Sequence, residues 1–303
     1  MIAARLSRYG DAELSALLRT ASEHGAGVGG GSSTLDVDGV PVFVKRIPIT
    51  DRELAHPHDT ANLFDLPARH QYGMYRLPAP TFNAWRELAL SPRLHHWRVL
   101  PGRPPVAAEH RDIDAVVAQF GGDPAIRARL EALAAATASL VLFSEYLPDG
   151  LPRWLSDPVT NAAAVERQLF ALVDSLRERR LLHLDAHFGN IRADDDRLYL
   201  VDFGLATSPD FDLSGPERDF VASHRGHDAD YASMRLVNWL VTTVCGAPAA
   251  PLARNRFIRD GRLPAGVPDQ VADIVARHAP AASRMNDFCA RLYDGDLTAV
   301  YPG

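Results

Sequence analysis

Residues 183–190 read His-Leu-Asp-Ala-His-Phe-Gly-Asn, and residues 202–204, which begin twelve positions after the asparagine, read Asp-Phe-Gly. Ahead of the first motif, apolar residues recur at helical spacing from Val165 to Leu176, which predicts an amphipathic helix. Between the motifs, residues 191–201 hold two short apolar runs around a turn of three aspartates, which predicts a β-hairpin. Because a hairpin folds back on itself, the oxygen-bearing side chains at its two ends are expected to converge.

The two motifs together resemble the protein-kinase-like superfamily, in which H-x-D-x-x-x-x-N is followed by a short hairpin and D-F-G. The resemblance covers about residues 25–245. It implies an α+β, bilobal fold, with a small antiparallel-sheet N-lobe over residues 1–147 and a helical C-lobe over residues 148–303. It also implies an enzyme, an ATP- and Mg²⁺-dependent phosphotransferase that moves the γ-phosphoryl group onto an acceptor hydroxyl.

The resemblance assigns roles to five side chains of these motifs. Asp185 takes or orients the proton of the acceptor hydroxyl, while Asn190 and Asp202 supply oxygen ligands to Mg²⁺, a hard ion that also keeps several waters. His183 braces the loop by hydrogen bonding. His187 lies where Ser/Thr kinases carry a lysine, and it can still donate a hydrogen bond to the transferred group, although less reliably at neutral pH.

Further upstream, the sequence predicts a lysine at the end of a strand. Asp38-Gly39 between alternating apolar residues is a strong hairpin signal, and the second strand of that hairpin runs into Lys45. The resemblance makes Lys45 the residue that contacts the nucleotide phosphates and Glu87 its ion-pair partner on the next helix. Glu53 is the competing partner, but it follows Lys45 too closely. The Pro-rich stretch 51–80 is then inserted material, irregular yet with apolar residues to bury.

A glycine-rich run over residues 25–33 precedes the hairpin and is too rich in glycine for a regular element. Backbone N–H groups approach phosphate where side chains are absent, so the run is expected to be the loop that covers the phosphates. Its register departs from G-x-G-x-x-G, and a flexible linker is the alternative interpretation. The residues expected to contact the phosphates are Gly29, Gly30, Gly31, Ser32 and Ser33.

A connector between the lobes follows the last strand of the N-lobe at Ser144. In kinases this segment hydrogen-bonds the adenine through its backbone. The resemblance therefore makes Glu145 and Leu147 candidates for nucleotide binding through their main chains.

The acceptor can be read in two ways. Leu205-Ala206 after the Asp-Phe-Gly motif, Pro216-Glu217, and a D-x-x-S pattern at Asp230 that resembles the start of the helix anchoring the catalytic loop favour an atypical Ser/Thr protein kinase. His187 instead resembles aminoglycoside phosphotransferases and choline-kinase-type enzymes, and the short stretch 202–217 leaves little room for a regulated loop or a peptide platform. The balance leans slightly to a protein kinase.

Two further interpretations stay open. A small-molecule kinase could recognise a cationic acceptor through acidic residues near the C-terminus, namely Asp287, Asp294 and Asp296, although such residues are more often solvated helix-end charges. A nucleotide-binding pseudokinase scaffold is the second alternative, but the residues needed for chemistry are all present.

Composition bounds these interpretations. The chain has 303 residues with 32 Lys+Arg and 38 Asp+Glu, a net charge of −6, and it lacks a basic block, which argues against a nucleic-acid partner. Hydrophobic residues at 47% and charged residues at 23% are typical of a globular protein. Two cysteines make no disulfide framework, and no apolar run reaches membrane-span length, so we expect a cytoplasmic protein with no membrane partner.

Overall fold

The computed structural model describes residues 1–27, 29–105 and 107–303. Its first half holds the long strands. The elements in chain order are α1 (Ile2–Leu6), α2 (Asp11–Leu18), β1 (Ser22–Gly27), β2 (Gly30–Val37), β3 (Val40–Ile49), α3 (Asp51–Leu54), α4 (Ala84–Leu90), β4 (Leu94–Pro101), α5 (Ile113–Gln119), α6 (Pro124–Ala135) and β5 (Ala138–Glu145).

The second half is mainly helical and contains one short hairpin. Its elements are α7 (Leu151–Ser156), α8 (Pro158–Glu178), β6 (Ile191–Ala193), β7 (Leu198–Leu200), α9 (Gly215–Ser223), α10 (His227–Thr243), α11 (Pro251–Asp260) and α12 (Asp269–Tyr293). The described residues also contain three 3₁₀ turns, at Ala68–Gln71, Ala108–His110 and Phe188–Asn190.

The five long strands form one antiparallel sheet in the order β1-β2-β3-β5-β4. The hairpin predicted at Asp38-Gly39 is present, and both turn residues have positive φ (55° and 83°), as a two-residue hairpin turn requires. One face of the sheet packs against α1 and α2, and the other face packs against α4. The predicted α+β class is confirmed, and the sheet holds α4 beside β3.

The helical half has a larger core in which α10 packs against α8 and α12. The predicted amphipathic helix is α8, whose apolar stripe, including Val165, Leu169 and Leu176, is buried. The predicted hairpin after the catalytic loop is β6–β7, which pairs Ile191 with Leu200. This hairpin carries the two polar motifs at its ends.

The Pro-rich stretch 51–80 contains α3 and one 3₁₀ turn, and is otherwise irregular, as expected. It does not stay with the sheet. Its aromatic side chains Phe64, Tyr72 and Tyr75 are buried in the core of the helical half. The stretch therefore crosses from the sheet to the helices and passes the opening between them.

The glycine-rich run differs from its prediction as a loop. β1 and β2 pair along it, with Gly27 opposite Gly30 and Ala26 opposite Gly31, so most of the run is strand. Gly29 lies in the tight turn, and Val28 lies outside the described residues. Backbone pairing between two glycine-rich strands supplies the order that side chains do not, and pairing of this kind leaves no apolar alternation in the sequence to reveal it.

Candidate active site

Asp228 fixes the catalytic loop. Its carboxylate accepts hydrogen bonds from the backbone N–H of His183 (2.7 Å) and of Leu184 (3.0 Å). Leu184 has a positive φ of 64°, a conformation that costs a non-glycine residue free energy and persists where the surroundings enforce it. The helix expected to anchor this loop is α10, but it begins at His227 and not at Asp230. The carboxylate that reaches the loop is therefore Asp228, two residues earlier, and Asp230 accepts from the Tyr301 hydroxyl instead.

His183 is fully buried behind the loop. Its Nε2 lies 3.1 Å from the carbonyl oxygen of Val201, which is the residue before Asp202. Burial lowers the pKa of the imidazole, against the opposing effect of Asp228. The side chain therefore connects the two motifs and does not face the opening between the halves.

Asp185 follows the strained Leu184 and faces the opening. The Asn190 side-chain N–H₂ donates to the backbone oxygen of Asp185 (2.9 Å) and to its carboxylate (3.2 Å). Burial, together with the charge of Asp202, raises the pKa of Asp185 to about 7. A carboxylate with its pKa near neutrality is suited to accept a proton from a hydroxyl.

Asp202 also adopts a positive φ, 62°, which turns its side chain towards the opening. The carboxylate accepts from the Gly204 N–H (3.3 Å) and keeps 47% of its side chain exposed. Asn190 uses its amide nitrogen on Asp185, which leaves its amide oxygen available. One carboxylate and one amide oxygen form a donor set that fits Mg²⁺, which completes its coordination with water and phosphate oxygens.

Lys45 joins the two halves. Its Nζ lies 2.5 Å from Glu87 Oε1 and 2.8 Å from Asp202 Oδ1, so the structure brings together the three residues that the sequence predicted would meet. Burial alone would lower the pKa of Lys45, but the charges of Asp202 and Glu87 outweigh it and raise that pKa. Burial raises the pKa of Glu87 to about 7, although Lys45 opposes the shift. The competitor Glu53 is instead buried in an ion pair with Arg129 (3.0 Å).

Two adjoining cavities lie between the sheet and the helical half, and share Phe43, Lys45, Arg192, Val201 and Asp202. The inner cavity is lined by Leu142, Phe203 and the connector residues Glu145 and Leu147. The backbone N–H of Glu145 donates to the carbonyl oxygen of Arg93 (3.0 Å), and the Glu145 carboxylate accepts from the Arg93 guanidinium (2.6 Å). The backbone of Leu147 has no hydrogen-bond partner among the described residues, and is the better placed of the two for a nucleobase.

The outer cavity, here called the cleft, has a volume of about 470 Å³ and holds Asp185, Asn190 and Asp202 on its helical side. Gly29, Gly30 and Ser32 line it from the sheet, whereas Gly31 and Ser33 do not. Gly30 has φ +121°, and a Cβ there would lie 2.1 Å from the Arg46 carbonyl oxygen. At this position the fold requires a glycine.

His187 lines the cleft with its Nε2 3.8 Å from Asp185 Oδ2. Burial lowers the pKa of His187, and the charge of Arg235 lowers it further. A lower pKa disfavours the charged imidazolium, so His187 is a poor source of the positive charge that the lysine of Ser/Thr kinases supplies at this position.

Two contacts at the site were missed by sequence reasoning. Gly73, from the Pro-rich stretch, lies against Asp185, and a Cβ there would be 2.6 Å from Asp185 Oδ1. Arg86 forms a buried ion pair with Glu217 (2.8 Å) that ties α4 to α9. A lone glycine and a distant Arg/Glu pair carry no local signal, so neither contact could be read from the sequence.

The acidic residues near the C-terminus do not line the cleft. Asp287 is engaged by Asn255 (2.8 Å) and Arg259, and Asp296 by Arg291 (2.7 Å). In the described part of the chain, no helix is both long and apolar enough to cross a bilayer.

This fold and this cluster of Lys45, Glu87, Asp185, Asn190 and Asp202 define a phosphotransferase with a bilobal, protein-kinase-like architecture. The chain belongs to the phosphotransferase enzyme family APH, whose model matches residues 29–212, more than half of the sequence. That family is part of the protein-kinase-like superfamily and includes aminoglycoside phosphotransferase and choline-kinase-type enzymes, so the predicted resemblance is confirmed. No curated protein matches the chain significantly.

Proposed function

We propose that this protein transfers the γ-phosphoryl group of ATP, with Mg²⁺, to a hydroxyl group of a small molecule. The observation that carries the proposal is the contact of one ammonium, Lys45, with both Glu87 and Asp202. This contact aligns the phosphate-binding side of the sheet with the metal-binding side of the helical half. In protein kinases the Lys–Glu ion pair and the contact of the Asp-Phe-Gly aspartate with Mg²⁺ must both be in place for transfer.

The side chains have separate tasks in this reaction. Lys45 and the glycine turn bind phosphate oxygens, Leu147 holds the nucleobase through its backbone, and Asn190 and Asp202 hold Mg²⁺. The metal supplies charge neutralisation of the phosphates when bound. Asp185 accepts the hydroxyl proton while the acceptor oxygen bonds to the γ-phosphorus and the bond from that phosphorus to the bridging oxygen of ADP breaks. His187 donates a hydrogen bond as a neutral imidazole.

The shape of the opening supports a small acceptor over a protein. The Pro-rich stretch brings Gly73 against Asp185 and covers one side of the cleft. Two of the three features that favoured a protein kinase belong to structural contacts away from the acceptor side of the cleft. Glu217 caps α9 through Ser214 and pairs with Arg86, and Asp230 bonds to Tyr301 without anchoring the loop.

Incubation with γ-labelled ATP and two fractions of a cell lysate tests the proposal. We expect a labelled product in the small-molecule filtrate that separates from ATP and inorganic phosphate, and we expect that product to be absent with an Asp185→Asn variant. Label confined to the protein fraction would favour the protein-kinase alternative. No transfer and no Mg²⁺-dependent hydrolysis of ATP would favour the pseudokinase scaffold.

A further inference from the structure

Residues 71–82, here called the strap, form the wall of the cleft that faces Asp185. Five residues of the strap line the cleft: Gly73, Met74, Pro78, Ala79 and Thr81. Only Thr81 has a strong hydrogen-bonding group in its side chain, and the thioether of Met74 is a weak acceptor. Because the Gly73 backbone approaches the Asp185 carboxylate so closely, an acceptor hydroxyl that reaches Asp185 must pass along this wall.

The strap is held at several points. The Tyr72 hydroxyl bonds to His224, the Tyr75 ring packs edge-on against Phe120 (5.1 Å), and the Pro78 carbonyl oxygen lies 2.7 Å from His110 Nε2. Arg129 donates to the carbonyl oxygen of Thr81 (2.9 Å). The wall is thus a built part of the fold.

Among the described residues that line the cleft, no carboxylate besides Asp185 and Asp202 could bind a positively charged acceptor. Asp185 and Asp202 are committed to the hydroxyl proton and the metal. All the other ionisable side chains among the described residues that line the cleft are basic, namely His24, Lys45, His187 and Arg192.

A further positive charge stands behind the catalytic loop. The Arg235 guanidinium lies 5.2 Å from the centre of the Phe188 ring, and its buried Nε has no hydrogen-bond partner among the described residues. The acceptor side of the loop is therefore not an environment that attracts a cation.

Building on the proposed phosphotransfer, we propose that the strap is the acceptor wall and that the acceptor is an alcohol without a positive charge. A cation that enters this cleft loses its hydration and gains no carboxylate in return, which is costly in a partly buried, apolar-walled site. An uncharged alcohol meets matching apolar surface on the strap. A polycationic acceptor would need acidic side chains that this wall does not offer.

A matched pair of probe alcohols tests the charge requirement. Choline and 3,3-dimethylbutan-1-ol have nearly the same shape and differ in the charge of the quaternary centre. With purified full-length protein and Mg·ATP, we expect kcat/KM for the neutral alcohol to exceed that for choline by about tenfold or more. If neither alcohol is phosphorylated, inhibition of the slow hydrolysis of ATP should show the same preference.

A kcat/KM for choline equal to or higher than that for the neutral alcohol would overturn the inference. The inference would also fail if neither alcohol is phosphorylated and neither inhibits the hydrolysis of ATP. Failure of the proposed function itself is distinguishable, because then no Mg²⁺-dependent consumption of ATP occurs without acceptor.

A reversal of charge on the strap provides the second test. Met74→Glu places a carboxylate at the wall, and Met74→Leu is the matched control of similar volume. We expect Met74→Glu to shift the ratio of the two kcat/KM values towards choline by about tenfold, while Met74→Leu leaves it unchanged. Thermal unfolding of both variants checks that they fold. An unchanged ratio in folded Met74→Glu would remove the strap from the acceptor site.

Discussion

At the scale of single residues, the geometry of the site depends on two residues with strained backbone, Leu184 and Asp202, and on the Asp228 carboxylate that holds the first of them. Asp228 accepts two N–H groups around Leu184, whose φ is +64°. That turn places Asp185 at the cleft, and the second strained residue, Asp202, places the other carboxylate there. Strained residues that cluster at a site in this way are typical of functional loops.

Replacement of Asp228 tests this anchoring. In Asp228→Asn one of the two N–H groups faces an amide N–H₂, so we expect the free energy of unfolding to fall by about 1–3 kcal/mol and phosphotransfer to fall with it. Asp230→Asn is the control, because Asp230 accepts from Tyr301 and lies outside the loop contacts. Urea unfolding and a labelled-ATP assay measure both effects. Equal losses in the two variants would contradict the anchoring role.

Asp185 itself gives a second prediction. Asp185→Asn keeps the size of the side chain but cannot accept the hydroxyl proton, so the transfer rate should fall by about 10²–10⁴-fold. The affinity for Mg·ATP should change little, because the proposed nucleotide contacts lie on Lys45, Asn190 and Asp202. Rapid-quench transfer and equilibrium binding separate the two quantities. Transfer at the wild-type rate would remove Asp185 from this role.

At the scale of elements, the sequence predicted one contact between side chains, that of Lys45 with Glu87, better than it predicted some of the elements nearby. The ion pair of Lys45 with Glu87 could be predicted because strand and helix signals surround both residues. The β1–β2 hairpin could not, because its pairing is between backbones of glycine-rich strands. β4 was also missed, because its partly exposed residues Leu94–Pro101 mix histidine, arginine and proline with apolar residues.

Gly30 tests the hairpin. A Cβ in Gly30→Ala would lie 2.1 Å from the Arg46 carbonyl oxygen, so the hairpin must move away from β3. Since Gly29 and Gly30 line the cleft beside Lys45, we expect ATP affinity to fall by about tenfold through this displacement. Gly31→Ala is the matched control, because Gly31 does not line the cleft and a Cβ there would approach no atom closer than 3.5 Å. Equal affinities in the two variants would argue against a phosphate-binding hairpin.

At the scale of the whole molecule, residues 51–82 tie the sheet to the helices. A buried ion pair of Glu53 with Arg129 (3.0 Å) holds this stretch at its start. Just beyond its end, Arg86 pairs with Glu217 (2.8 Å) and donates to the carbonyl oxygen of Thr60. The sequence could predict two lobes from the change in composition near residue 148, and the division after Leu147 stays a proposal. It could not predict that an insertion in the first lobe packs into the core of the second, because that packing joins residues far apart in the chain.

Buried histidines in this connection predict a dependence of stability on pH. Burial lowers the pKa of His70 and of His224 to about 4, from the ordinary histidine value of 6.5. The unfolded chain therefore binds more protons, so stability is complete above about pH 6.5 and is lost as pH falls towards 4. Each histidine can contribute up to about 3 kcal/mol to this loss.

The measurement is the free energy of unfolding between pH 7 and pH 4. His70→Gln should flatten the decline, whereas the exposed His56→Gln should leave it unchanged. An identical decline in the wild type and in His70→Gln would contradict the contribution of His70.

The most direct test of the central claim is the affinity for ATP by titration calorimetry, with and without Mg²⁺. The claim is that Lys45 from the sheet and Asn190 and Asp202 from the helical half together bind a metal–nucleotide complex. We predict that Mg²⁺ raises the affinity of the wild type by at least about tenfold, and that Asp202→Asn loses this increase while the exposed Asp210→Asn keeps it. An affinity that is the same with and without Mg²⁺ in all three proteins would contradict the claim.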